Sequence, residues 1–164
     1  MAKHLELTVE QIENYHRDGY LLIPQFLSKD EIAPFQQSLV DDPSVGGRIS
    51  HIHDGKAATQ DDHVNGYRLD YVGWFREGDD WLGTTTRLAR IVNAASQLIG
   101  EEVYHYHSKL VRKPAQDSGS LVWHQDYGGW YQDGCLRPDM LTCVVAMTDA
   151  NDESGCLRFL KGSH

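Results

Sequence analysis

Apolar positions recur at helical intervals along much of the first hundred residues. Val9, Ile12 and Tyr15 follow Thr8, and Gln11 stands three residues after that threonine. This spells a capping box and a helix over residues 8 to 18, stopped by Gly19. Ser28 with Glu31 repeats the signal and opens a helix through Ile32, Phe35 and Leu39, with Pro34 predicting a kink or a later start. Leu88, Ile91, Val92, Ala95, Leu98 and Ile99 give the strongest helical stripe, with threonines before it and Gly100 placed to cap its C-terminus. Between the first two helices "GYLLIPQFL" reads as a short strand leading into a turn at Pro24. From Asp41 to Gly66 the chain is dense in Gly, Asp and other polar residues without period, which predicts a long loop.

After Gly100 the period changes from 3.6 to two. "EVYHYHSKLVRKP", "SLVWHQD", "MLTCVVAMTD" and "GCLRFLKG" alternate apolar and polar positions and are bounded by Gly, Pro, Asp or Ser, so each reads as a strand. Successive strands without intervening helices favour a sandwich, jelly roll or barrel over a parallel sheet. The expectation is a mainly β, α+β domain over residues 1–164. Residues 1–100 form a helical and loop support, and residues 101–164 the first strands.

The chain has 164 residues, enough for one ordinary domain with a core. Acidic residues outnumber basic ones, 24 to 15, giving a net charge of −9. Such a surface repels phosphate backbones, so nucleic acid is not an expected partner. No apolar run approaches the length of a membrane span, and the N-terminus lacks a signal-peptide core, so a cytoplasmic protein without a membrane partner is expected. Cys135, Cys143 and Cys156 lack C-x-x-C spacing and read as separate reduced thiols. The sequence leaves the oligomeric state open.

Candidate chemistry centres on "SLVWHQDYGGWYQDG". On a strand, residues i and i+2 share one face about 6.6 to 6.8 Å apart, so His124 and Asp126 can converge on one metal ion. One further histidine would complete a 2-His-1-carboxylate site, although imidazole plus carboxylate suits iron, zinc and manganese alike. The spelling alone is weak, because His16-Arg17-Asp18 repeats it on a helix, where i and i+2 diverge by about 200°. His51 and His53 lie in the polar loop and read as solvated. His105 and His107 share a predicted strand face with Lys109, Val111 and Lys113, and an H-x-H pair is what a cupin-like metal enzyme would use, but no glutamate follows at cupin spacing. Lys113 reads either as a solvated lysine or as an ammonium that pairs with a carboxylate. Trp123, Tyr127, Trp130 and Tyr131, interrupted by Gly128 and Gly129, fit a pocket wall better than a regular core strand.

The runs "KLVRKPAQDSGSLVWHQDYGGWYQDG" and "MLTCVVAMTDANDESGCLRFLKGSH", with the opening "LTVEQIENYHRDGYLLIPQFLSKDEI", resemble the phytanoyl-CoA dioxygenase family of Fe(II)/2-oxoglutarate oxygenases, whose members include ectoine and proline hydroxylases. The resemblance implies a double-stranded β-helix, a jelly roll of cupin-like kind, with helices packed outside it. It also implies hydroxylation of a small-molecule substrate that consumes O2 and 2-oxoglutarate and releases succinate and CO2. His124 and Asp126 would bind Fe(II), and Lys113 and Thr142 would line the 2-oxoglutarate pocket. Trp130 would face substrate, with Gln125, Tyr127 and His107 as further substrate-side residues. An aspartate at 126 implies hydroxylation over halogenation. Family members carry a distal histidine ligand and a 2-oxoglutarate-pairing arginine after the G-S-H turn. The chain therefore reads as an N-terminal portion with an incomplete β-helix, and His164 is not assigned as the third ligand.

Two other functions stay open on the residues. One is a non-catalytic β-helix module that binds a ligand or partner through an open sheet edge. The other is a cupin-like metalloenzyme using His105 and His107.

Overall fold

The structure is a computed structural model that describes residues 5–41, 50–52, 69–74, 81–112 and 123–164. The first helix, α1 (Val9–Asp18), begins at Thr8, whose hydroxyl accepts from the Gln11 N–H while the Gln11 side chain accepts from the Thr8 N–H. This is the capping box read from the sequence, and it satisfies two of the N–H groups a helix start leaves open. Gly19 closes α1 at φ 81°, a left-handed turn that costs glycine no Cβ clash. The second helix, α2 (Lys29–Asp41), carries the same box between Ser28 and Glu31. It runs through Pro34, whose ring nitrogen cannot donate to the Asp30 carbonyl.

Between them, residues 20–23 adopt no strand, and a turn follows at Pro24 and Gln25, the latter at φ 54°. The alternation in "GYLLIPQFL" is nonetheless expressed, since Leu21 and Ile23 pack on the core while Leu22 is exposed. A strand needs a ladder partner, and among the described residues this segment has none.

A three-stranded antiparallel sheet has the order β1-β2-β3, formed by β1 (Ser50–Ile52), β2 (Leu69–Trp74) and β3 (Ser108–Arg112). The first of these corrects the expected loop over residues 41–66: β1 is held by the central strand, with Ser50 opposite Tyr71 and Ile52 opposite Leu69. The remainder of that loop lies outside the described residues. Pairing of β2 with β3 runs from Asp70 opposite Arg112 to Trp74 opposite Ser108. Among the described residues the strand expected from residue 102 begins at Ser108, opposite Trp74, the last described residue of β2.

The helical stripe expected through Leu88 to Ile99 forms one helix with Leu88 as its N-cap, behind a separate short helix. A short α3 (Trp81–Thr86) takes up the threonines, and α4 (Ala89–Ile99) follows, closed by Gly100 at φ 83°. Ala94 and Leu98 of α4 are buried with Leu7, and Leu5, Ile12, Tyr15, Leu21, Ile23 and Leu141 pack around them. Polar side chains of α4 fix its neighbours. Gln97 accepts from the Leu7 N–H at 2.9 Å and donates to the Leu5 carbonyl at 3.1 Å. Arg90 donates to the Phe26 carbonyl at 2.7 Å, pairs with Glu31 of α2 and lies over the Phe26 ring.

Within residues 123–164 the regular element is α5 (Asp126–Gln132). The strands expected over "SLVWHQD", "MLTCVVAMTD" and "GCLRFLKG" form no ladder among the described residues. Asp126, Tyr127 and the two glycines instead enter a helical turn, with Gly128 N–H bonded to the Gln125 carbonyl at 3.1 Å. Leu141 packs against the helical core, and its neighbour Thr142 donates to Asp126. No helix among the described residues is long and apolar enough to cross a membrane.

Candidate functional site

His124 and Gln125 lie on extended backbone immediately before α5, and Asp126 is the first residue of that helix. Extended geometry at Gln125, φ −110° and ψ 127°, turns the side chains on either side of it to one face. His124 Nε2 and Asp126 Oδ1 accordingly stand 3.3 Å apart. The expected convergence is therefore present, though through an extended-to-helix junction instead of a continuous strand. The second oxygen, Asp126 Oδ2, accepts from the Thr142 hydroxyl at 3.4 Å.

The donor pair fits one divalent ion. Nitrogen and oxygen ligands each about 2.1 Å from a first-row metal, at angles of about 90° to 109°, lie roughly 3.0 to 3.4 Å from one another. The observed 3.3 Å falls within that span, and the side chains are 49% and 40% exposed, so an ion can reach both. Among the described residues no third His, Cys, Asp or Glu joins them in a group able to hold a metal.

Aromatic residues of α5 meet one another and the segment before β3. Trp130 is four residues after Asp126, and i and i+4 share a helix face. Its ring meets Tyr106 edge-on at 5.4 Å and His107 at 5.0 Å. The structure thus brings His107 beside Trp130, two residues that the sequence reading had put on the substrate side. Tyr127 stacks obliquely on Tyr131 at 6.1 Å, again one helical turn apart, while Trp123 and Tyr131 are largely exposed. The pocket wall is assembled only in part. Burial pushes the His107 imidazole below its ordinary value, with Lys109 and His105 acting in the same direction.

Other candidates separate from this centre. Gln125 directs its amide to the Ser163 carbonyl. His105 Nε2 bonds to Ser108 Oγ at 2.7 Å, and His107 turns to Trp130, so the two imidazoles serve different neighbours. His16 lies edge-on to Tyr15, and Asp18 is held by Arg17 at 2.6 Å and Lys161 at 3.0 Å, as the helical spacing of that H-x-D requires. His51 is part of β1, whereas His53 and Lys113 fall outside the described residues. The three cysteines are free. The link from Asp18 to residues 160–164 was not read from the sequence. Its one local signal is Gly19, a left-handed position directly after the acidic residue.

Comparison with known proteins adds a direct result. Residues 15–164 match the family described as Phytanoyl-CoA dioxygenase (PhyH). An ectoine dioxygenase of Bordetella bronchiseptica is 30% identical over 162 residues, covering 96% of this chain and 50% of the relative. Another, from Stutzerimonas stutzeri, is 28% identical over 162 residues, with 96% and 51% covered. An L-proline trans-4-hydroxylase of Streptomyces griseoviridis is 28% identical over 150 residues, with 91% and 52% covered. The chain spans about half the length of these curated relatives. No solved structure matches it. Since the match runs from residue 15 through both the H-x-D motif and the G-S-H turn, the chain belongs to the phytanoyl-CoA dioxygenase family.

Proposed function

We propose that this chain provides the iron-binding pair and part of the co-substrate pocket of an Fe(II)- and 2-oxoglutarate-dependent dioxygenase that hydroxylates a small molecule. The observation that carries the reading is the meeting of His124 Nε2 and Asp126 Oδ1 at 3.3 Å, inside a chain of this family. Fe(II), when bound, supplies the redox chemistry that couples oxidative decarboxylation of 2-oxoglutarate, to succinate and CO2, with hydroxylation of a carbon.

The residues of the chain have separate tasks in this account. His124 offers one imidazole nitrogen and Asp126 one carboxylate oxygen, leaving the other oxygen to accept from Thr142. That contact fixes the carboxylate plane, and such outer contacts hold ligands in a binding-ready orientation. Trp130, carried on the same helix face as Asp126, would border the pair and keep water from one side of it. His107, whose imidazole burial makes harder to charge, packs on Trp130. Lys113 would meet the carboxylate end of 2-oxoglutarate. The enclosing architecture is proposed to be a double-stranded β-helix, and the setting the cytoplasm. Relatives named for ectoine and for L-proline support a small polar substrate.

The test is turnover of 2-oxoglutarate by the whole protein with Fe(II), O2 and candidate amino-acid-like substrates. Succinate should form, and should fall to background in His124→Ala and in Asp126→Ala. Succinate formation that survives both substitutions contradicts the proposal. Metal content that is lost with His105→Ala or His107→Ala, yet kept without His124, would favour the cupin-like alternative.

A further inference from the structure

Alternate side chains of extended backbone leave on opposite sides. Gln125 lies between two residues whose donors meet, so its own side chain departs from the far side of that pair. There its amide N–H donates to the Ser163 carbonyl. Residues 160–164 are in turn fixed to the end of α1. Gly162 N–H donates to the Asp18 carbonyl at 2.8 Å, and Lys161 Nζ reaches Asp18 Oδ2 at 3.0 Å. The Ser163 hydroxyl and N–H both bond to the Leu160 carbonyl, at 2.8 and 3.3 Å, which stiffens the turn. Nearby, Tyr20 stacks on Phe159 with centroids 5.3 Å apart. A continuous chain of contacts therefore runs from Asp18 through Lys161 and Gly162 to Ser163, and from Ser163 to Gln125.

We propose that Gln125 is a positioning residue for the His124–Asp126 pair, and that residues 160–164 are the strut through which the end of α1 holds that pair in register. This rests on the metal-binding reading above and assigns Gln125 to the strut instead of to substrate. The two ligands flank a single residue, so any rotation of the Gln125 peptide units moves one donor relative to the other. Anchoring its side chain from behind removes that freedom before an ion arrives, and ordering already done in the free protein need not be done on binding. Lys161, remote in sequence from both ligands, acts on them only through the strut.

Co(II) titration of the whole protein, followed by absorption or calorimetry, reads the effect without turnover. Gln125→Ala should weaken Co(II) binding about tenfold, the scale on which outer-shell partners act. Lys161→Ala should weaken it in the same direction. The double variant should bind no worse than Gln125→Ala alone, because one strut is then cut twice. Gly100→Ala, which strains the end of α4 where a Cβ meets nothing within 4 Å, should leave the Co(II) affinity of the folded protein unchanged. Co(II) affinity equal to the parent's in Gln125→Ala, or losses that add in the double variant, overturns the proposal. A parent that binds no Co(II) would sink the metal reading itself. The strut is then judged on the metal-free protein by hydrogen exchange, where the Gly162 amide should exchange faster in Gln125→Ala, and an unchanged rate overturns it.

Discussion

Gly19 and Gly100 occupy the same left-handed region, at φ 81° and 83°, yet their surroundings differ. A Cβ on Gly100 would meet nothing within 4 Å, whereas one on Gly19 would stand 2.5 Å from His164 Nδ1. Gly100→Ala should therefore cost only the backbone term, about 1 to 2 kcal/mol. Gly19→Ala should cost more in urea unfolding, and His164→Ala should recover the difference. Next to Gly19, the Asp18 carboxyl is held low by its hydrogen bond with Arg17, with Lys161 adding to it, from 3.8 to about 2. Since the folded value lies below the unfolded one, its contribution is complete above about pH 4 and fades as the pH falls toward 2. Asp18→Asn should flatten that part of the stability profile, and a profile that keeps its slope would refute the assignment. For His107 the imidazole resonances should titrate with a midpoint below 6.5, since burial disfavours the charged ring. The folded chain then binds the proton less readily than the unfolded one, so acidification through that range destabilises it. Capping boxes and C-terminal glycines were readable because their partners lie within four residues. The Gln125–Ser163 bond joins residues 38 positions apart, and no local pattern announces it.

At the level of elements, the same division between local and distant partners decides what the sequence discloses. Helix α1 begins and ends where its capping signals place it, and α4 ends at Gly100 as read. Helix α3 was not read ahead of α4, because six residues that end in a turn at Arg87 are too short to set up an apolar period. Strands are harder, since alternation states which side chains share a face but not which backbone lies alongside. β2 escaped notice among polar neighbours, with Gly73 breaking its pattern, although it is the central strand that pairs β1 and β3. The H-x-D pair converged for the geometric reason given by alternation, while its second member proved to be the start of a helix. Core packing rests heavily on α4: Leu98→Ala removes a buried side chain from the cluster with Leu7 and Ala94 and should destabilise the fold by about 2 to 5 kcal/mol. A denaturant midpoint indistinguishable from the parent's would show that this cluster does not hold α1 to α4.

For the whole molecule, contacts among the described residues link the helices to the His124–Asp126 pair. Gln97 and Arg90 fix α4 to the segments around α1 and α2, Leu141 joins that packed face, and its neighbour Thr142 reaches Asp126. The family was legible because it depends on short motifs, and the meeting of His124 with Asp126 because it depends on one extended residue between them. The sequence did not disclose how the pair is held, because that depends on segments brought together from both halves of the chain. The most direct measurement is an anaerobic titration of the whole protein with Fe(II) and 2-oxoglutarate, followed by visible absorption. Saturable growth of a weak charge-transfer band that needs both additions, and its loss in His124→Ala and Asp126→Ala, is the predicted result. An unchanged band in those variants, or none in a folded parent protein, would contradict His124 and Asp126 as ligands of a 2-oxoglutarate-binding iron.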